Sequence, residues 1–310
     1  MTGAASQPPS TLDGVLLIAR YAIRESVRRR VFRVVLALTA LFLALYGVGA
    51  AQAFEEAGGG IGPPLVDEQT VVGATLLGLA MFATLFLGTV LAVFLTLGAV
   101  RGDEERGLLQ PLVVRPVGRS ALLGGRFAAA AAVCGAYVLV VYALAVVLTG
   151  AIGDFWPDRV VGPGLGLAAA VAVLAALALL GSITLSATAN GILAFMVFGA
   201  GLVAGLLGQI GDALGSETLG TVAQVASYAL PFEALYQAGL SGLTADAGGA
   251  TAFIVRLGPF GGAQEGGLLL WLWTAVYLVA VGAVGCHLFA RRLRTPAVRL
   301  RRFLRTDPDR

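Results

Sequence analysis

The hydroxyls of Ser182 and Ser186 and the imidazole of His287, the chain's single histidine, are the side chains that could form a nucleophile–base pair. Both serines stand toward the end of one apolar run, and His287 stands at the matching end of another, so their depth in a membrane would allow them to meet. The pattern goes no further. No G-x-S-x-G is present, and no carboxylate is placed to orient the imidazole. An intramembrane hydrolase is therefore an alternative that lacks its geometric partners, and it requires that His287→Ala destroy activity. One His, three Met and two Cys supply no ligand set for a metal. Cys134 and Cys286 both fall inside apolar runs, where a free thiol packs as a small hydrophobe, so no disulfide is expected. Every basic residue is Arg and none is Lys. A nucleotide-binding P-loop needs the lysine of G-x-x-x-x-G-K-[ST], so this chain cannot contain that motif, and any ATP that drives it is bound by another subunit.

The densest polar chemistry lies in residues 101–127, RGDEERGLLQPLVVRPVGRSALLGGRF, between two long apolar runs. The stretch opens acidic with Asp103, Glu104 and Glu105 and closes basic with Arg115, Arg119 and Arg126. Leu108, Leu109, Leu112, Val113 and Val114 form an apolar patch in its middle. A connection between two membrane helices needs neither this length nor this patch. One reading is a short docking helix that receives force from a soluble partner. The other is a solvated loop whose arginines fix topology, as charge runs commonly do.

These residues must be positioned by membrane helices. Apolar residues make up 58% of the chain and charged residues 13%, against roughly 45–50% and about 25% in soluble domains. The fold class is an all-α polytopic membrane protein with six spans, at about 34–53, 70–100, 121–150, 164–186, 191–210 and 268–290. Residues 1–12 are expected to be disordered. Residues 13–33 carry six arginines beside Leu16, Ile23 and Val27 and read as an interfacial elbow helix, or as a charged topology flank that needs no helix. The six-span membrane domain is 34–290, and 291–310 is a basic tail suited to anionic lipid. Ala51-Gln52-Ala53 looks like a cleavage site, but the run before it is too long and starts too late for a signal peptide, so an uncleaved anchor is expected. Residues 187–190 form a short turn between the fourth and fifth spans. Gly201, Gly205 and Gly208 have the spacing that lets helices approach closely, either at a dimer seam or within one subunit. In the long connection 211–266, Pro231 divides an apolar stretch into two short re-entrant or interfacial helices. There Glu233 is either an acid at membrane depth, and so a functional candidate, or an acid on a solvated loop. Nineteen of the 21 arginines fall in the segments around 20–33, 101–126 and 291–310, while 11 of the 18 acids fall in the connections 54–69, 151–163 and 211–266. The positive-inside pattern puts both termini and residues 101–127 in the cytoplasm.

Several motifs in order resemble the ABC-2 type permeases, the membrane subunits of type V ABC exporters, and within them the NosY-like branch. They are the entry segment IARYAIRESVRRRVF and Glu105-Arg106-Gly107-Leu108-Leu109. Arg115-Pro116-Val117-Gly118-Arg119 and Gly124-Gly125-Arg126-Phe127 follow. The last are Pro231-Phe232-Glu233-Ala234-Leu235-Tyr236 and Phe289-Ala290-Arg291-Arg292-Leu293. The similarity touches most of 13–294. Leu108 stands where the family usually has Thr, Arg126 where Lys is common, and Pro111 interrupts the docking stretch.

The resemblance implies a non-enzymatic transporter subunit in a bacterial inner membrane. It implies a second permease copy, two copies of a separate ATPase that hold the ATP and Mg, and no nucleic-acid partner. Residues 103–114 become the coupling helix, with Asp103, Glu104, Glu105, Arg106, Leu108, Leu109, Leu112, Arg115 and Arg119 at the docking surface. Pro231, Phe232, Glu233 and Tyr236 become an outer gate. Two jobs fit: export of a hydrophobic or amphipathic compound, or, as in NosY-like complexes, transmission of ATP-driven motion to an extracytoplasmic partner protein.

Overall fold

The computed structural model describes residues 19–20, 23–25, 30–58, 67–97, 119–243, 245, 251, 254–255 and 266–292. Its helices are α1 (Arg30–Ala57), α2 (Glu68–Thr96), α3 (Arg119–Gly153), α4 (Val161–Thr184), α5 (Ala187–Leu214), α6 (Glu217–Ala229), α7 (Pro231–Ser241) and α8 (Leu268–Arg292). No strand occurs among the described residues. Six of the helices, α1 to α5 and α8, are long and apolar enough to cross a membrane. Apolar composition forces this outcome, because in lipid a helix satisfies its backbone groups within itself.

α4 is the hub and packs on α2, α3, α5, α7 and α8. Its sequence, VGPGLGLAAAVAVLAALALLGSIT, is largely Gly, Ala, Val and Leu, so five neighbours can approach its backbone closely. The main core runs through Leu77, Met81 and Leu85 of α2, Val138 of α3, Leu167 and Val171 of α4, and Leu235 of α7. α1 and α8 stay mostly on the outside of this core and present apolar side chains such as Leu45, Val48, Leu272 and Val279 outward. Cys134 is buried in the core.

Several hydroxyls inside the bundle are paired within it. Thr84, Thr89 and Thr96 return their hydroxyls to Ala80, Leu85 and Ala92 one turn back, at 2.7, 2.7 and 2.8 Å. Two hydroxyl pairs, Thr39 with Tyr137 and Tyr46 with Thr149, each 2.5 Å, clasp α1 to α3.

The helix ends follow from capping chemistry. Asp67 caps α2 by accepting from Thr70 N at 3.3 Å. Gln69 Nε2 donates 2.7 Å to the Gly153 carbonyl at the end of α3. α5 ends on Gly215, whose φ of 64° lets Ser216 N reach Gly211 O at 2.9 Å, the 6→1 bond of a Schellman ending.

The helix boundaries depart from the sequence reading in three places. Residues 30–33, assigned to an elbow, are continuous with α1. The second span stops at Thr96, where Leu97 leaves helical geometry with ψ 118°, rather than continuing to Val100. The α4–α5 break is at residues 185–186, because Ser186 already caps α5 by accepting from Ala189 N at 3.4 Å. Asn190, expected in a turn, is inside α5 and buried, with its amide donating 2.8 Å to Ala178 O of α4.

Candidate functional site

The docking residues Asp103, Glu104, Glu105, Arg106, Leu108, Leu109, Leu112 and Arg115 lie outside the described residues, as does most of the expected elbow; Arg119 is the first residue of α3. The structure does fix what the docking stretch connects. Residues 98–118 join α2 to α3, two helices packed side by side. Just beyond them Leu123 of α3, Leu179 and Ile183 of α4 and Phe289 of α8 form a separate buried cluster, with Phe127 and Cys286 against it. Displacement of the start of α3 would therefore be felt by α4 and α8.

The residues predicted as an outer gate are brought together on α7. Pro231 occupies the first turn, where its missing N–H costs no hydrogen bond, and it separates α7 from α6 as the sequence required. The two-helix division is therefore present. α7 is an eleven-residue helix, yet Phe232, Glu233, Leu235, Tyr236, Gln237 and Leu240 are all buried. It packs on α4, α5, α6 and α8, which surround it.

The glycines of α5 make this seat. A methyl group at Gly201 would overlap the Phe232 ring, and one at Gly205 would overlap Glu233 Oε1. At Gly208 it would meet the Ala223 side chain of α6 at 3.0 Å, and at Gly211 the Gly220 backbone at 3.0 Å. Within this chain the small-residue stripe packs against α7 and α6, the second of the two uses its spacing allows. On the other side, Gly166 of α4 lies under the Leu235 carbonyl, where a methyl would come to 3.1 Å. Phe232 continues into a row of rings: it stacks on Phe198 of α5 with centroids 6.0 Å apart, and Phe198 meets Phe86 of α2 at 6.1 Å.

Glu233 is 2% exposed, so the solvated-loop alternative does not hold. It takes a hydrogen bond from Gln237, and Gln237 Oε1 accepts from Gln209 Nε2 of α5 at 3.2 Å. Its other oxygen, Oε1, is buried against Gly205 without a hydrogen-bond partner. Burial pushes the carboxyl up to about 7, and the Gln237 bond offsets part of that. Burial also raises the Tyr236 hydroxyl above its ordinary range, with the neighbouring Glu233 adding to the effect.

Gln209, Gln237, Gly166 and Gly211 are parts of this site that sequence reasoning missed. Gln237 sits one helical turn after Glu233, and Gly211 continues the glycine spacing, so both carried a usable signal.

Ser182 is 1% exposed and gives its hydroxyl to Leu179 O at 2.7 Å, Ser186 is exposed and accepts from Ala189 N, and His287 is on the exposed side of α8; no hydrogen bond between either serine and His287 occurs among the described residues.

With this geometry in hand, two comparisons are informative. A family model described as "ABC-2 family transporter protein" matches residues 16–292. A curated relative from Pseudomonas aeruginosa, "Probable ABC transporter permease protein NosY", is 38% identical over 113 residues, which is 36% of this chain and 37% of the relative. The matched part is thus little more than a third of that relative's length.

Proposed function

Because the chain belongs to the ABC-2 family of transporter proteins, we propose that it works as a lever driven by a separate ATPase, moving a hydrophobic or amphipathic compound outward. Two ATPase copies hold ATP and Mg and grip residues 103–114 of two copies of this chain. Closure of the ATPase pair draws the inner ends of α2 and α3 together, and α7 shifts from its seat at the outer end. Both termini lie on the cytoplasmic side of a bacterial inner membrane, and the arginine-rich tail holds anionic lipid.

The observation that carries this reading is the seating of α7. A short buried helix seated on α5 by close glycine contacts and the part-buried Gln209–Gln237 hydrogen bond is a piece that can leave as a unit. An inner apolar cavity of about 140 Å³, lined by Leu123, Phe127, Leu180, Leu278 and Gly282, has room for a short piece of an apolar tail.

A second reading keeps the same motion and couples it to an extracytoplasmic partner protein, with no solute moved. It is favoured by the threonines of α2, whose hydroxyls are turned back into their own helix, so that helix offers little to a hydrophilic path. The test is to express the chain with and without its ATPase in vesicles loaded with an amphipathic dye. Export that stops without the ATPase supports the first reading. Undiminished export without any ATPase contradicts both readings, and an ATPase-dependent complex that moves no dye but retains a bound outer protein supports the second.

A further inference from the structure

We propose that Glu233 is a proton latch: its carboxyl takes a proton from the outer solution when α7 seats on α5 and returns it to water when α7 leaves. The proposal rests on the reading of α7 as an outer gate, and it adds a ligand, the proton, to that gate.

The geometry carries the argument. The carboxyl is 2% exposed and faces the backbone of α5 at Gly205. One oxygen has a single neutral donor, Gln237, and the other has none. An ionised carboxylate there would be a buried charge with half its hydrogen bonds missing, which is a costly state. A neutral acid at the same place loses far less.

Among the described residues, the surroundings supply no compensating cation. α4 carries no titratable side chain, and α5 carries only Asp212, two turns beyond Gly205. On α6, Glu217 and Tyr228 are both exposed. On α8, Tyr277 and Cys286 are half-buried, His287 and Arg291 are exposed, and Arg292 is the last residue of the helix. On α7 itself Tyr236 is the other titratable group; a charge on Glu233 makes its ionisation harder, and its neutral hydroxyl brings no positive charge to the carboxyl. Arg159 lines a cavity of about 240 Å³ with Leu235, Ala238 and Gly239, on the opposite face of α7 from Glu233.

The sign follows from linkage. The seated carboxyl titrates near 7 and a solvated one near 4.5. Below about pH 4.5 both forms are protonated and seating is unaffected. Between these values the seated form holds a proton that the released form does not, so seating weakens by about tenfold per pH unit. Above about pH 7 both are ionised and the dependence levels off. The predicted change in the released-to-seated ratio between pH 5 and pH 8 is about 70-fold.

The test uses the full-length chain in lipid nanodiscs, with Cys134 and Cys286 replaced by alanine. Leu240→Cys, at a position 3% exposed on α7, reports release through its rate of maleimide labelling. Leu214→Cys, 72% exposed at the end of α5, corrects for ionisation of the thiol. The corrected rate is expected to rise about 70-fold from pH 5 to pH 8 and to change less than about twofold in a Glu233→Gln background. Infrared difference spectra against Glu233→Gln should show the protonated-carboxyl band disappearing near pH 7.

A carboxyl ionised throughout, a flat labelling profile, or an equal pH response in Glu233→Gln overturns the latch. ATP added with the ATPase at fixed pH separates the two ideas. A pH response that ATP leaves unchanged keeps the latch and removes the gate, while an ATP response without a pH response keeps the gate and removes the latch.

Discussion

Gly201→Leu is expected to destabilise the protein by about 3 kcal/mol, whereas Gly199→Leu, two residues earlier on the same helix, is expected to be nearly neutral. A side chain at Gly201 overlaps the ring of Phe232, which is fully buried and cannot swing aside into solvent. A side chain at Gly199 meets nothing within 4 Å. The penalty at Gly201 combines overpacking with lost burial of Phe232 and its stack on Phe198. Thermal inactivation in detergent, followed by size-exclusion chromatography, measures both variants. If the stripe on α5 served instead as a seam between two copies, Gly201→Leu would shift the elution toward a single copy without lowering that copy's stability. Equal and small effects at both positions would show that α7 has no fixed seat.

The second large effect is expected in the docking stretch. Replacing Leu108 and Leu109 together by Asp should weaken association with the ATPase about a thousandfold. Each leucine contributes roughly 2 kcal/mol when buried against a partner, and 1.4 kcal/mol corresponds to tenfold in affinity. Substituted chains should still insert and fold, since the described helices on either side are unchanged. Co-purification of the ATPase and ATP hydrolysis by the complex are the two measurements. If this stretch only fixes topology through its arginines, the leucine variants retain full association, and replacing Arg115, Arg119 and Arg126 inverts the orientation instead.

Much of the architecture was legible because bilayer constraints act on composition. Six apolar runs became six membrane-length helices, and Pro231 marked the α6–α7 division to the residue. Helix ends were less legible, since they depend on which polar atom is free to cap. Residues 187–190 look like a turn by composition, but Ser186 takes the cap and Asn190 is drawn onto Ala178 of α4.

The glycine stripe on α5 was readable as close packing, but its partner was not. Spacing shows that a backbone is accessible, not which helix uses the space. The burial of α7 was hidden for a related reason: besides the adjacent α6, its neighbours α4, α5 and α8 come from elsewhere in the sequence. Glu233 was readable either as an acid at membrane depth or as one on a solvated loop, and the seating of α7 on Gly205 is what makes it a buried acid.

The central claim is that this chain is moved by a motor bound to residues 103–114. The most direct measurement introduces a photo-crosslinking amino acid at Leu108 and, separately, at Leu112, and irradiates the complex in native membranes. The account predicts a cross-link from both positions to a nucleotide-hydrolysing subunit, and protection of both from a membrane-impermeant reagent added outside intact cells. Cross-links to no such subunit, or ready labelling of either position from the outside, would contradict it.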